Sequence, residues 1–348
     1  MTLMSRFTGR LDLKSGTIDM THGAGGRATA QLVAELFARH LDNPLLAQGN
    51  DGAALDVAAG RLVVSTDGHV VSPLFFPGGD IGSLAVHGTI NDVAMMGARP
   101  IALAAGFILE EGFPLADLER IVASMAAAAQ EAGVPVATGD TKVVEKGKGD
   151  GIFITTTGFG MVPAGLDISG ANARPGDKVI LSGTIGDHGV AILSKRANLE
   201  FETEIRSDTA ALHGLVAAMV AAVPQIRTLR DPTRGGLGST LNEIAQQSRV
   251  GMRLREAAIP VSPDVRAASE LLGLDPLYIA NEGKLIAICP ANCADRLVAV
   301  MREHPLAREA AVIGEVVDDG NGFIEMETLF GGRRIVDWLT GEQLPRIC

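Results

Sequence analysis

Aromatic residues and cysteines are scarce in this sequence. Aromatic residues make up 4% of the 348 residues, and three cysteines occur, Cys289, Cys293 and Cys348. Three cysteines are too few for a disulfide framework, and Cys289 and Cys293 do not have metal-site spacing, so we interpret this pair as ordinary thiols. With 47% hydrophobic residues and 42 glycines, the core is expected to consist of Ala, Val, Ile and Leu joined by tight turns.

Basic residues in clusters and long apolar stretches are also lacking. The net charge is −11 at pH 7, and Lys and Arg are not concentrated in any segment, which argues against a nucleic-acid partner. An anionic ligand would therefore need divalent cations held by carboxylates. The N-terminal MTLMSRFTGRLDLKSG lacks the apolar core of a signal peptide, and no segment offers roughly 20 uninterrupted apolar residues. We therefore predict a cytoplasmic protein without membrane contact.

Short β-rich runs alternate with longer amphipathic segments along the chain, a pattern typical of α/β and α+β folds. The apolar periodicity stops over residues 161–177, where Gly, Pro, Asn and Asp accumulate. We therefore predict one domain over residues 1–165, a second over 166–338 and a flexible tail over 339–348. Strands are predicted over residues 61–65, 101–108, 134–137, 152–159, 178–182, 285–289 and 312–317, and helices over 28–40, 115–132, 209–223, 237–247, 263–272 and 294–304.

Four aspartates follow apolar or Gly-rich segments in the first half of the chain: Asp51, Asp67, Asp92 and Asp140. An Asp beside Gly at the end of a strand or loop can approach a phosphate-bound cation closely, and hard divalent cations prefer such oxygen ligands. Together the four predict a magnesium–nucleotide site. The alternative is that each one caps a helix or forms a turn. Lys142 would add a positive charge near phosphate or transfer a proton, or it is a solvated lysine.

The segment THGAGGR, over residues 21–27, precedes a predicted helix. Its backbone amides, flanked by Gly23, Gly25 and Gly26, could form an anion cradle at the helix N-terminus. His22 could orient phosphate or take up protons, or it is a hydrogen-bonded loop residue.

The second half of the chain offers polar groups on Gly-rich turns. SGTIGDHG and RDPTRGGLGS, the latter containing Asp231, are interpreted as walls of a site. Glu282, in the turn YIANEGKL, could accept a proton in a cleft between the domains or be a turn residue. Cys348 is an inert thiol or a reactive one. The ten residues 339–348 could span about 33 to 36 Å when extended, enough to carry the thiol into a cleft.

The motifs THGAGG, GNDGAAL, STDGHV, GTINDVAMMGA, GDTKVV, GDHG, DPTRGG, NEG and the ending PRIC occur in this order along nearly the whole chain. In this the sequence resembles the HypE family of hydrogenase maturation factors, within the PurM-like ATP-utilising superfamily. The resemblance implies a homodimer formed by an N-terminal α/β domain, with nucleotide near its interface, and a C-terminal α+β domain. It implies ATP and Mg²⁺ as cofactors. The implied ATP-binding residues are His22, Gly23, Gly25, Gly26, Asn50, Asp51, Asp67, Asn91, Asp92, Thr138, Gly139, Asp140 and Asp231, and the implied metal ligands are Asp51, Asp67, Asp92 and Asp140.

The resemblance also implies a reaction. A HypF-like carbamoyltransferase would load Cys348, and the chain would dehydrate the carbamoyl group to a thiocyanate while ATP becomes ADP and phosphate. The cyanide would pass to a HypC–HypD-like iron carrier for a nickel–iron hydrogenase. Glu282 is predicted as the base and Lys142 as the group that stabilises charge or relays a proton, although these roles are interchangeable on the sequence alone. The alternatives are a PurM-like kinase or synthetase acting on a free substrate, and a non-enzymatic carbamoyl carrier.

Overall fold

The computed structural model describes residues 10–24, 26–48, 52–197, 204–340 and 346–348. The strands are β1 (Arg61–His69), β2 (Phe75–Phe76), β3 (Gly79–Asp80), β4 (Arg99–Glu110), β5 (Val136–Val144), β6 (Ile152–Val162), β7 (Lys178–Leu181), β8 (Thr228–Arg230), β9 (Gly251–Arg255), β10 (Ile286–Cys289), β11 (Ala311–Val317), β12 (Ile324–Glu327) and β13 (Arg333–Ile335). The α-helices are α1 (Arg27–Leu32), α2 (Ala38–Leu41), α3 (Ile81–Met95), α4 (Leu115–Ala132), α5 (Asp187–Arg196), α6 (His213–Ala222), α7 (Gly236–Ser248), α8 (Pro263–Leu272) and α9 (Ala291–Glu303). A π-helical segment, Val33–Phe37, joins α1 to α2.

The N-terminal sheet has the strand order β1-β6-β4-β5, in which β4 and β5 run parallel and the other pairs antiparallel. Residues along β6 alternate between buried and less buried positions, as expected of a sheet covered on one face. The buried face packs against α3, where Thr156 Oγ1 donates to the Ala85 carbonyl at 3.0 Å. Leu62, Val64 and Ile108 remain between 43% and 55% exposed.

Helix α3 lies in the middle of the first domain, and all its residues except His87 and Asp92 are buried. Asp80 begins the helix, because its Oδ1 accepts from the backbone N–H groups of Gly82 and Ser83. At its other end, Ala94 and Met95 belong to a buried cluster formed largely by residues of the second domain. The helix therefore connects the two domains and fixes one side of the cleft between them.

The C-terminal sheet has the order β13-β12-β9-β11-β7-β10-β8, with helices α5 to α9 in the same part of the chain. It is antiparallel except for the β12–β9 pair. Its core includes Val179, Leu241, Met252 and Ile288, all fully buried. The predicted mixture of α and β structure in two domains is thus confirmed. The division after residue 165 falls in the connection between β6 and β7 and stays a prediction.

Most predicted strands and helices coincide with observed elements, whereas α3 and α5 were not predicted. The strand predicted over residues 134–137 is instead β5, which continues to Val144. Asp140 and Lys142 therefore lie inside a strand rather than after one. Similarly, Asp67 lies within β1 and Asp92 within α3. The interpretation that these aspartates lie at strand or loop ends is wrong for all three, and so is the alternative that they cap a helix or form a turn.

Residues 346–348 lie against the chain just beyond β1. Val70 N–H donates to the Cys348 carbonyl at 3.1 Å, and Ser72 N–H donates to the Arg346 carbonyl at 3.1 Å. Ile347 is 4% exposed. The predicted flexibility of residues 339–348 is not tested, because residues 341–345 lie outside the described residues. Within the described parts of the chain, no helix combines the length and the apolar character needed to cross a membrane.

Candidate active site

A cleft between the domains collects side chains from distant parts of the chain around Gly88 of α3. A methyl group placed on this glycine would lie 3.3 Å from Cε1 of His69, 3.7 Å from Oδ2 of Asp67 and 4.0 Å from Oε2 of Glu282. Asp67 and His69 come from β1, whereas Glu282 lies in the turn before β10 of the second domain. The missing side chain in α3 leaves the space into which these groups converge.

Glu282 is the buried acid of this cleft. It is 4% exposed, and among the described residues its Oε1 has no hydrogen-bond partner. Burial raises the pKa of Glu282 well above its usual range, and the carboxylates of Asp231 and Asp208 raise it further. Its N–H donates to Asp208 Oδ1 at 3.0 Å, and its carbonyl accepts from Asn91 Nδ2 at 3.2 Å. The backbone thus fixes a carboxyl group whose raised pKa suits proton exchange with a substrate.

The thiol of Cys348 faces this acid. Burial raises the pKa of the thiol above its usual range, and the charge of Glu282 is the next cause, with a hydrogen bond between the two side chains acting in the same direction. Arg234 is the cation that partly opposes this rise. The docked thiol is therefore protonated, and a group attached to its sulfur would lie beside Glu282.

Three aspartates, Asp67, Asp92 and Asp231, act on the same site. Ser65 Oγ donates to Asp92 Oδ2 at 2.7 Å. Burial raises the pKa of Asp92, with the Asp67 charge adding to it, and burial together with the Asp92 charge raises the pKa of Asp231 to about 7. Carboxylates that repel one another in this way are stabilised by protons or by a bound cation.

The donor set fits a magnesium ion in its chemistry, because carboxylate oxygens are the ligands that this hard cation prefers. Among the described residues, no three His, Cys, Asp or Glu side chains already stand in an arrangement that could hold a metal. Asp51, a further predicted ligand, lies outside the described residues, as do the predicted nucleotide-binding residues Gly25 and Asn50. The assignment of individual aspartates to the ion stays a prediction.

A cavity of about 500 Å³ opens beside Asp92 and Asp231. Ser65, Asp92, Asp231, Thr233 and Arg234 are among its lining residues. Its volume lies within the range typical of small-molecule sites. It offers hydroxyl groups and a guanidinium next to the carboxylates, which suits phosphate groups accompanied by a cation.

A second group of predicted residues lies around β5. Gly23 packs closely on this strand, because a methyl group placed on it would lie 2.7 Å from the backbone nitrogen of Val143. Gly26 directly precedes α1. His22 is buried, and its Nδ1 accepts from the N–H of Asp19 at 3.0 Å. This hydrogen bond holds His22 within the short 3₁₀ helix Met20–Gly23, and its role towards phosphate stays a prediction.

Lys142 and Asp140 form an exposed ion pair on β5, with Lys142 Nζ 2.8 Å from Asp140 Oδ2. The lysine lowers the pKa of Asp140 through a hydrogen bond. Thr138 and Gly139, on the same strand, line an apolar cavity of about 480 Å³ together with residues such as Phe37. The predicted nucleotide-binding residues on β5 thus lie beside a cavity of their own.

The sheet separates the two groups. Asp67 lies on the edge strand β1 and Asp140 on the opposite edge strand β5, with β6 and β4 between them. Three steps of about 4.8 Å between neighbouring strands place the two backbones about 14 Å apart. Across the sheet, Asp67 pairs with Thr156, which pairs with Ala105, which in turn pairs with Gly139, so these four residues share one face of the sheet. Asp140 is the next residue after Gly139, and because successive residues of a strand point to opposite faces, it lies on the other face. Within one chain the structure therefore does not bring Asp140 to Asp67 and Asp92.

Asn91, predicted to bind nucleotide, is occupied by backbone contacts. Its Nδ2 donates to the carbonyls of Ala210 and Glu282, and its Oδ1 accepts from Leu212 N–H at 2.8 Å. A side chain with these three hydrogen bonds holds two backbone segments of the second domain against α3. This geometry gives Asn91 a structural role at the edge of the site.

Sequence reasoning missed several residues of the cleft. His69 is 2% exposed and lies 3.1 Å from Thr156 Oγ1 through its Nε2. Asp208 forms a buried ion pair with Lys284 at 3.1 Å. His69 lies inside the motif STDGHV, and Lys284 directly follows the motif NEG, so their closeness to motif residues could have indicated them. Asp208 follows an unremarkable segment, and nothing in its sequence context indicates the contact with Glu282.

Comparisons with known proteins define the class of this chain. Residues 49–162 match the family model of the AIR synthase related protein, N-terminal domain, and residues 174–327 match that of the AIR synthase related protein, C-terminal domain. The chain is 72% identical over 339 residues to the carbamoyl dehydratase HypE of Cupriavidus necator, covering 97% of each sequence. The chain belongs to the HypE family of carbamoyl dehydratases.

Solved structures agree with this assignment. A hydrogenase maturation protein HypE in complex with ATP superposes with a TM-score of 0.92 at 53% identity, covering 94% of this chain and 99% of the other. A structure of a HypE–HypF complex matches with a TM-score of 0.78 at 47% identity, covering 88% of this chain and 99% of the other. The predicted PurM-like fold and family are thus confirmed.

Proposed function

We propose that this chain uses ATP to dehydrate an S-carbamoyl group on Cys348 to a thiocyanate. The observation that carries the proposal is the position of Cys348, whose thiol lies in the cleft next to the buried carboxyl group of Glu282. An enzyme for a free substrate would have no need for residues 346–348 in this space. The ATP named in the structure of a relative is the proposed phosphoryl donor.

The proposed chemistry balances without a redox partner. The carbonyl oxygen of the carbamoyl group attacks the γ-phosphorus of ATP, and ADP leaves. This converts a poor leaving group into a phosphate ester. Loss of two protons from the nitrogen and cleavage of the C–O bond then release phosphate and leave S–C≡N, so the oxygen of the lost water ends up in phosphate.

Glu282 is the proposed base for the nitrogen protons. Its carboxyl group has a raised pKa and lies next to the sulfur that would carry the substrate. A base is most effective when its pKa is near the working pH. Lys142 is the proposed stabiliser of developing charge, or the second proton carrier.

The proposed magnesium ligands are Asp51, Asp67, Asp92 and Asp140. Bound Mg²⁺ would offset the charge of the transferred phosphoryl group. Asp231 is proposed to bind nucleotide beside them, supported by its place in the cavity next to Asp92. His22, Gly23, Gly25, Gly26, Asn50, Thr138 and Gly139 are proposed to bind the nucleotide near β5.

A homodimer would reconcile the two separated groups of residues. Leu62, Val64 and Ile108 are exposed on the face of the N-terminal sheet away from α3, and an exposed apolar surface of this kind is typical of an interface. Asp140 lies on that same face by register. If the sheets of two copies pair there, Asp140 and Lys142 of one copy would approach the cleft of the other.

The proposed partner for loading is a HypF-like carbamoyltransferase, supported by the HypE–HypF complex of a relative. A HypC–HypD-like iron carrier is proposed to receive the cyanide for a nickel–iron hydrogenase. A cytoplasmic location, without nucleic-acid or membrane partners, completes the proposal.

Mass spectrometry of the C-terminal peptide after enzymatic carbamoylation tests the function. With Mg²⁺ and ATP, we expect the adduct on Cys348 to lose one water. An adduct that stays intact although ATP is bound would favour a carbamoyl carrier. No adduct on Cys348, together with ATP turnover that survives Cys348→Ala, would favour a kinase or synthetase acting on a free substrate.

A further inference from the structure

Helix α5 contacts the docked residues at both of its ends. In its first turn, His188 is fully buried and its Nε2 lies 2.8 Å from the Ile347 carbonyl oxygen. In its last turn, Arg196 donates through Nε and Nη2 to the Ser72 carbonyl at 3.0 and 2.7 Å, and through Nη2 to the Arg346 carbonyl at 3.0 Å. The helix thus holds both the peptide group next to Cys348 and the segment just beyond β1 against which residues 346–348 lie.

The hydrogen bonds of His188 define its tautomer. A carbonyl oxygen only accepts, so Nε2 must carry the proton. Nδ1 lies 2.7 Å from Ser207 Oγ, and that oxygen already accepts from Thr209 N–H at 3.1 Å. Its hydroxyl hydrogen is therefore available to His188 Nδ1, and burial lowers the pKa of His188, which favours the neutral ring. Ser207 is itself fixed, because its N–H donates to the Pro77 carbonyl at 2.8 Å.

We propose that His188 is a positioning residue, which holds Cys348 against Glu282 by donating from Nε2 to the Ile347 carbonyl in a tautomer set by Ser207. One peptide bond separates that carbonyl from Cys348, so a shift at the hydrogen bond moves the sulfur directly. Phe76 packs edge-on against the imidazole at 5.6 Å and restricts its rotation. The inference rests on the proposed function for its purpose, but the contact itself can be tested without that chemistry.

The test is the rate at which iodoacetamide alkylates Cys348 in the full-length, unloaded chain, measured on its peptide by mass spectrometry. Cys293, half-buried in α9, is the internal reference. Loss of one hydrogen bond is expected to raise the rate for Cys348 relative to Cys293 about three- to tenfold in His188→Ala. Ser207→Ala, which removes the tautomer control, should give a smaller rise. His188→Gln keeps an N–H donor and should stay within about twofold of the original rate.

The rescue by Gln separates positioning from general support of the fold. If His188→Ala does not fold, as judged by circular dichroism, His188→Met fills the space without a donor and carries the same expectation. A folded variant without a donor that alkylates at the original rate would overturn the proposal. In the loaded chain, the same variants should slow dehydration while ATP binding persists. If the variants without a donor alkylate faster but neither they nor the original chain dehydrates the carbamoyl group, the result would count against the proposed function and not against the positioning role of His188.

Discussion

At the level of single residues, the site depends on carboxyl groups that the fold keeps away from water. Glu282 is buried with an unpartnered Oε1 among the described residues. Burial raises the pKa values of Asp92 and Asp231, and the charge of Asp67 adds to the first and that of Asp92 to the second. Such an arrangement costs stability and is retained where it serves a reaction or a ligand. It follows that neutral replacements in the cleft should harm the reaction more than the fold.

The substitution Glu282→Gln tests this. We expect ATP binding and folding to persist, because the amide has the same shape as the carboxyl group and removes a charge whose burial is unfavourable, as the raised pKa of Glu282 indicates. The dehydration rate should fall by about 10²- to 10⁴-fold, the usual contribution of a positioned general base. Single-turnover mass spectrometry of the carbamoylated chain measures this rate.

A matched control is Glu315→Gln on β11, which removes a carboxylate paired with Lys178 on the C-terminal sheet. It should leave the rate unchanged. Full activity in Glu282→Gln with normal ATP binding would mean that another group is the base.

His87 on α3 predicts a pH effect on stability. Burial lowers its pKa from 6.5 to about 4, so the unfolded chain binds a proton between these values and the folded chain does not. Above pH 6.5 the titration of His87 therefore has no effect on the free energy of unfolding. As the pH falls from 6.5 towards 4, this free energy decreases by about 3 kcal/mol in total because of His87. In His87→Gln, which can keep the contact with Thr209 Oγ1, this loss should disappear. Urea denaturation at pH 7.5 and pH 4.5 for both chains checks it, and equal losses would contradict the pKa.

At the level of elements, α3 sets the site because it packs tightly on its neighbours. A methyl group on Gly82 would lie 2.2 Å from the carbonyl oxygen of Ile121 in α4, whereas one on Gly214 of α6 would find its nearest neighbour at 3.7 Å. Both glycines occupy the second position of their helices. The same substitution is therefore expected to have opposite effects.

Gly82→Ala should destabilise the chain by about 1 to 3 kcal/mol, because the added methyl forces α3 away from α4. Gly214→Ala should stabilise it by up to about 1 kcal/mol through better helix propensity. Thermal or urea unfolding of both variants measures the difference. A neutral Gly82→Ala would show that the contact between α3 and α4 yields easily.

Helices α3 and α4 differ in how far their sequences predict them. Helix α4 was predictable, since its buried residues recur with helical spacing and Gly133, with φ 67°, ends it. Helix α3 is buried nearly all round, so its sequence has no polar face and no periodic signal. Glu282 and Cys348 were found through motifs, but their contact with each other, and that of Glu282 with Asp208, depends on distant segments. Local pattern carries no information about such contacts.

At the level of the whole molecule, the predicted residues fall into two groups about 14 Å apart across the N-terminal sheet. Cys348 and Glu282 lie in the cleft next to β1, and Lys142 lies on β5 at the other edge. A site within one chain would leave Lys142 without contact with the substrate. In a dimer paired through the exposed face, each site would combine residues of both copies.

Mixing two inactive variants distinguishes these arrangements. A chain with Lys142→Ala and a chain with Glu282→Gln are each expected to be nearly inactive in dehydration. If Lys142 serves the other copy, a mixed dimer contains one site with both residues intact, and random pairing should restore about a quarter of the original activity. If Lys142 serves its own chain, no site in the mixture is intact and activity should stay at the level of the single variants. Val64→Glu, added to both variants, places a charge on the exposed sheet face; these chains should sediment as monomers, and mixing them should restore no activity. Phe330→Glu on the C-terminal domain, where Phe330 is 98% exposed, should leave the restoration unchanged when added to both variants.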